Sequence, residues 1–165
     1  MSTELSTPRA DMYLKVQSAK QGFIKGDSVV ADHKDEIVLT GWYWGLAQNT
    51  DAANRSQAIA KRSLRPLVVE KRLDSASTKL MSALSTNEEI KNAVLTMRMA
   101  TAGQQDYMTI TLQEAAVIDV QCNADPSGHV HERVTIGFAK IDVSYRPTLS
   151  NGVLGAAVTF SDQLV

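Results

Sequence analysis

Residues 11 to 17, DMYLKVQ, alternate Met12, Leu14 and Val16 with Tyr13, Lys15 and Gln17. That is the period of two expected where one face of a strand is buried, and it predicts a first strand. The next stretch, SAKQGFIKGDSVVADHKD, mixes glycine, charge and short apolar pieces without a period and reads as a long loop. EIVLTGWYWG, residues 36 to 45, restores the alternation, with Val38, Thr40, Trp42 and Trp44 on one face and Ile37, Leu39, Gly41 and Tyr43 on the other. Both faces are mostly apolar or aromatic, so this strand is expected to be covered on both sides. Trp42 and Trp44 are then expected to anchor the wall or its contact with a helix, subunit contact being the alternative role, and Gly45 to permit a sharp exit. On that reading Trp44→Ala costs about 3 kcal/mol or more.

LAQNTDAANRSQAIAKRS, residues 46 to 63, has no strand period. An irregular connection of this length is uncommon in a compact domain unless it has a task, which marks it as the candidate functional loop. LRPLVVEKRL (64 to 73) alternates again, with Leu67, Val69 and Leu73 on one face and Lys71 interrupting it; Pro66 places that end at a strand start or sheet edge. One helix is predicted at about 75 to 85, with Asp74 or Ser75 as its cap and Leu80, Met81 and Leu84 as its apolar stripe. NEEIKNA is read as a further helical turn, and AVLTMRMA as a strand.

The two longest strands carry irregularities. From Met108 to Cys122 the even positions are apolar except Glu114, which predicts a bend near Gln113 to Ala115. From Val134 to Tyr145 the apolar set is even at first (Val134, Ile136, Phe138) and then odd (Ile141, Val143, Tyr145), which predicts a bulge at Ala139 or Lys140. RPTLSNG turns the chain, and AAVTF adds a last short strand that could finish a barrel or cap a neighbour. About seven strands and one helix point to a β-barrel or a sandwich with a lateral helix.

Composition narrows the class. A chain of 165 residues, 44% hydrophobic with a net charge of -1, fits one domain and lacks the global positive field of a nucleic-acid binder. Cys122 is the single cysteine, so the fold is expected to hold without a disulfide. MSTELSTPRA lacks a basic start followed by an apolar run, and no segment reaches the roughly 18 apolar residues of a membrane span. If the protein leaves the cell, it is expected to do so without a cleaved signal, and no membrane insertion is expected.

Chemistry is sparse. His129, His131 and Glu132, with Cys122 and Asp125 across a turn, could supply metal ligands from a hairpin; the plainer reading is a polar hairpin tip, and no metal, cofactor or catalytic site is expected. KGDS lacks the glycines of a phosphate cradle. Charge is more suggestive. Arg55, Lys61, Arg62, Arg65, Lys71 and Arg72 form a basic stretch, and Asp27, Asp32, Asp35 and Glu36 an acidic one. Two solvated loops of no consequence are the plain reading, and nucleic-acid contact by the basic stretch lacks interleaved aromatics for stacking; the remaining reading is that patches of opposite sign on one molecule meet in head-to-tail contacts that build rings or stacks.

In order along the chain, DMYLKV, EIVLTGWYWG, LVVEKRLDSASTKLM, AVLTMRMA, YMTITLQEAAV and ERVTIGFAKIDVSYRP resemble the hemolysin-coregulated protein (Hcp) family of bacterial type VI secretion systems over residues 11 to 147. The resemblance rests on the W-x-W-G turn, the Lys-x-Leu-Asp step into a helix with KLM, and the Y-x-x-I-T-L-x-E strand. Where many members carry a glycine- and serine-rich segment after W-x-W-G, residues 46 to 63 are more charged.

The resemblance implies a mainly β fold: a small closed barrel of two curved antiparallel sheets with one short flanking helix. Residues 1–10 are expected to be a flexible N-terminus and 11–165 a single domain, with 46–63 the extended loop. It further implies a structural, non-enzymatic subunit whose six-membered rings stack head to tail into the inner tube of the apparatus. Implied partners are other copies of the chain, a VgrG-like tip spike protein, sheath proteins around the tube and small effectors in the lumen. Implied localisation is cytoplasmic before firing and secreted afterwards. Asn49, Asp51, Arg55, Gln57, Lys61, Arg62 and Arg65, with Asp27, Asp32 and Asp35, are the expected assembly residues. Trp42, Trp44, Gly45, Leu80, Met81, Leu112, Phe138 and Tyr145 are the expected structural core. A monomeric β-sandwich binding carbohydrate or peptide through its long loops is the competing reading.

Overall fold

The computed structural model describes residues 11–48, 62–99 and 104–164. The expected flexible N-terminus, 1–10, and the greater part of the candidate loop, 49–61, lie outside the described residues. In chain order the elements are β1 (Asp11–Ser18), β2 (Gly22–Ile24), a 3-10 turn (Ala31–His33), β3 (Ile37–Tyr43), β4 (Leu46–Gln48), β5 (Arg62–Leu64), β6 (Leu67–Arg72), α1 (Ser77–Ser85), β7 (Ile90–Arg98), β8 (Asp106–Ala124), β9 (Val130–Tyr145) and β10 (Val158–Gln163).

Six antiparallel strands close on themselves in the order β9-β6-β3-β1-β7-β8, with β8 returning to β9. Closure removes the free edges that an open sheet of this length would leave. The length of β9 lets it serve two partners on one side: its residues 131–136 pair with β6, and 140–145 pair with β10. β10 thus stands outside the closure, as does β2, which pairs back onto β1. β4 and β5 form a separate two-stranded ribbon.

Alternation along the wall aims Leu14, Val16, Leu67, Val69, Leu95 and Ile110 inward, all fully buried, each worth roughly 2 kcal/mol of apolar burial. Met12, Met97 and Met108 are successive cross-strand neighbours on β1, β7 and β8. With Trp42 they pack onto one end of the core. At the other end α1 lays Leu80 and Ala83 onto the core, with Ala76 at its N-cap.

Several expectations change at irregular positions. In β3, Leu39 pairs with Lys71 and Gly41 with Glu70, so Thr40 is an extra residue that reverses the phase. Ile37 and Leu39, then Trp42, face inward, while Val38 (48% exposed) and Tyr43 (53%) face out. The strand is therefore not covered on both sides within one chain, and Trp42 does not share a face with Val38. Trp44 lies past the strand, half-buried, its indole N–H donating to the Arg65 carbonyl at 2.8 Å. Gly45 has no left-handed φ, and nothing stands within 4 Å of where a Cβ would be, so the exit does not depend on glycine. Gly26 is the position that does: a Cβ there would fall 2.6 Å from the Glu36 carbonyl oxygen. A half-buried Trp44 lowers the expected cost of Trp44→Ala to about 2 kcal/mol. Urea denaturation with an unchanged m-value measures it, and a cost above about 4 kcal/mol would mean that the ring is buried more deeply than this packing allows.

The bend in β8 is where the alternation places it. Glu114 has φ +50°, and the inward set passes from Ile110 and Leu112 to Ala115 and Val117 across it. β9 changes phase opposite, yet the register is continuous from Gln113–Lys140 to Ala115–Phe138, so no residue is inserted at Ala139 or Lys140. The register shift lies instead between Val117 and Asp119, at an exposed Ile118. Lys140 reaches across the bend to Glu114 at 3.2 Å.

Other readings are corrected. Residues 18 to 35 are not all loop, since they contain β2 and the 3-10 turn. NEEIKNA is not helical: Asn87 takes φ +53° and β7 starts at Ile90. Met81 and Leu84 are each 36% exposed, and the buried face of α1 is Ser77, Leu80 and Ala83. Residues 46 to 63 begin and end in the β4–β5 ribbon. Leu73 is exposed beyond the end of β6. Tyr145, expected in the core, is 45% exposed, whereas Leu112 is fully buried and Phe138 packs half-buried against the core.

Candidate assembly surface

Of the expected assembly residues, Asn49, Asp51, Arg55, Gln57 and Lys61 lie outside the described residues. Arg62 sits on β5 with its guanidinium on Asp162 of β10: Nε donates to Oδ2 at 2.6 Å and Nη2 to Oδ1 at 2.8 Å. The fork holds Asp162 below the usual carboxylate range and raises Arg62. Arg65 is exposed, and its backbone N–H donates to Gly45.

The acidic set is dispersed. Asp27 accepts from the Ser75 hydroxyl and, at 3.1 Å, from the Ser75 backbone N–H; the hydroxyl contact, with the backbone bond behind it, lowers its carboxyl. Asp32 meets Arg98 at 3.3 Å. Asp35, at φ +61°, closes a turn by accepting from the Gly26 N–H at 2.7 Å. Glu36 is buried on His33. Among the described residues no ion pair joins these acids to Arg62 or Arg65.

β10 carries a surface that the alternation did not single out. Val158 pairs with Tyr145 and Phe160 with Val143. Because β10 lies beyond the closure, this continuation of the inward face is uncovered, with Val158 62% and Phe160 40% exposed. Among the described residues the outer edge of β10 pairs with no strand. The opposite face is polar, with Ser161 hydrogen-bonded to Asp142. An edge strand with an apolar face is the feature by which identical or unlike chains extend a sheet.

The hairpin donors are parted rather than gathered. Asp125 accepts from Ser127, from His131 at 3.1 Å and from the His129 backbone N–H at 3.0 Å. The Ser127 hydroxyl, ahead of His131, draws its carboxyl far below the usual range. Glu132 turns the other way, into the barrel. There the Lys71 ammonium touches Glu132 at 2.7 Å, Asp74 at 2.7 Å, Ser77 at 2.9 Å and the Arg72 carbonyl at 3.0 Å. Lys71 and Glu132 side chains are both 0% exposed. Burial and the neighbouring Glu132 carboxylate push the Cys122 thiol up, the opposite of what a nucleophile requires.

A second polar cluster was also missed. His33 stacks on Tyr13 with ring centroids 4.3 Å apart, and its two nitrogens lie 2.9 Å from Glu36 and 3.0 Å from Asp106. It ties the 3-10 turn to the start of β8. Burial, then the nearby Asp11 carboxylate, raises the Tyr13 phenol. Both clusters staple strands that are distant in the chain.

Comparison with known proteins agrees with this wall. The family described as type VI secretion system effector, Hcp, matches residues 13–145. Protein hcp1 of Pseudomonas aeruginosa is 30% identical over 145 residues, covering 86% of each chain. The Major exported protein of the same organism is 25% identical over 158 residues, 85% of this chain and 91% of that one. The crystal structure of Hcp1 from Salmonella typhimurium superposes with a TM-score of 0.75 at 24% identity, covering 93% of this chain and 94% of that one. A barrel closed by six strands, one flanking helix and a match through both long strands lead to one conclusion: the chain belongs to the Hcp family of type VI secretion system proteins.

Proposed function

We propose that this chain is the structural subunit of the type VI inner tube: six copies form a ring, rings stack head to tail, and the tube is expelled from the cell. The observation that carries the reading is β10, an edge strand outside a closed barrel, with Val158 and Phe160 uncovered on one face. Such a strand suits lateral joining of identical barrels, because a neighbour supplies both the missing ladder and the missing apolar cover. Family membership and a relative named for export support the same role. Within it, small effectors ride in the lumen, a VgrG-like spike sits at the tip and sheath proteins surround the tube. Before firing the subunit waits in the cytoplasm. Among the described residues no helix is long and apolar enough to cross a membrane. The buried polar groups serve the fold, in keeping with a structural secretion family rather than an enzyme.

Negative-stain microscopy and native mass spectrometry of the purified chain test this. Uniform annuli of six subunits are expected at micromolar concentration, with short stacks as concentration rises. Compact monomers at every concentration would overturn the reading and favour a monomeric binding module.

A further inference from the structure

We propose that Arg62 and Asp162 form a positioning clasp for assembly: the pair fixes the β4–β5 ribbon against β10, so that the C-terminal strand sets the direction in which the ribbon leaves the barrel. The role in assembly rests on the tube-subunit reading above; the mechanical role does not.

The ribbon consists of three residue pairs and belongs to a sheet of its own. At its base it is pinned by the Arg65 N–H on Gly45 at 3.1 Å, the Trp44 indole on the Arg65 carbonyl, and Leu64 against the core. A base alone leaves a short ribbon free to swing. The Arg62 guanidinium supplies a second point, three pairs along, through the two bonds to Asp162 and a third from Nη2 to the Gln163 carbonyl at 2.8 Å. Two points of attachment define a direction. Planar, charge-assisted forks specify geometry in a way that a lone ammonium does not. The two residues are 100 apart in the chain, and the acceptor stands on the strand that offers itself to a neighbouring copy. Exposed ion pairs add little to global stability, so the expected consequence is orientation.

The test compares wild type, Asp162→Asn and the exchanged pair Arg62→Asp with Asp162→Arg. Hydrogen exchange is read at the amides of residues 46–48 and 62–64, and assembly by sedimentation and microscopy on the same samples. In Asp162→Asn those amides are expected to exchange about 10-fold faster while β6 and β9 amides stay unchanged. Six-membered rings persist, stacking falls severalfold, and the exchanged pair recovers both readouts at least in part. Unchanged exchange in Asp162→Asn overturns the clasp. Faster exchange with wild-type stacking overturns its role in assembly. If wild type itself forms neither rings nor stacks, the tube-subunit reading falls, and with it the assembly role, while the exchange rates still decide the clasp.

Discussion

Replacing Lys71 by alanine is expected to destabilise the protein by about 3–5 kcal/mol, the loss typical when one partner of a buried ion pair is removed. The ammonium is fully enclosed and neutralises two carboxylates, Glu132 and Asp74, whose side chains are 0% and 10% exposed. Glu132 Oε1 accepts no hydrogen bond from the chain. Without the lysine, Glu132 would keep its charge in the wall with no counterion, or take up a proton at a free-energy cost of its own. The fault is the orphaned carboxylate rather than the missing lysine. Accordingly, Lys71→Met combined with Glu132→Leu is expected to recover most of the loss, since apolar replacement of a whole buried pair is often neutral or stabilising. Urea midpoints at constant m, arranged as a double-mutant cycle, measure both effects. A single Lys71→Ala variant within 1 kcal/mol of wild type would sink the argument.

The lysine was half legible in the sequence. Its place in the alternation Leu67, Val69, Lys71 marks it as facing the core, but the alternation names no partner. Glu132 follows 61 positions later and sits beside His129 and His131 in a stretch that invites a metal reading. What separates it from them is the cross-strand register, in which Lys71 opposes Glu132 and Cys122 opposes it from the other side. The alternation along one strand does not carry that register. The same holds for His33, whose partners Glu36 and Asp106 lie 3 and 73 positions away. Only the near one is in view.

Strand existence was readable and strand phase was not. The period of two identified β1, β3, β6, β7, β8 and β9, the six that close the barrel, because each buries one face. Phase failed at Thr40 and Ile118, where an added residue turns the next side chains over without altering composition. Glu114 is the exception. A charged side chain on an apolar face announced its own bend, and a left-handed backbone supplies it. β2, β4 and β5 are three residues each, too short to show a period. The opposed charges were visible as a pattern, but the pairing of Arg62 with Asp162, not with the Asp27 to Asp35 stretch, depends on β10 folding back along β9. Tyr145 was misread for a related reason: it pairs with Val158 on the part of the wall that β10 extends beyond the closure, where both stay exposed.

The helix supplies the second large effect. Leu80→Ala is expected to cost about 3–4 kcal/mol, in the middle of the range for buried leucines, and to lower the melting temperature by roughly 10 °C for a domain of this size. Leu80 is fully buried, while its neighbours on the buried face, Ala76 and Ala83, are too small to fill the space it would vacate. A nine-residue helix has little stability of its own, so it stays folded because this side chain holds it to the barrel end. Met81 stands one position along and 36% exposed. Hydrophobicity alone ranks the two as equals, which is how both entered the expected core, and the 100° between them on the helix separates them. Met81→Ala is therefore expected to cost less than about 1 kcal/mol. Equal losses in the two variants would show that the helix packs through a broader stripe than Leu80 alone, and a smaller loss at Leu80 than at Met81 would reverse the face assigned to it.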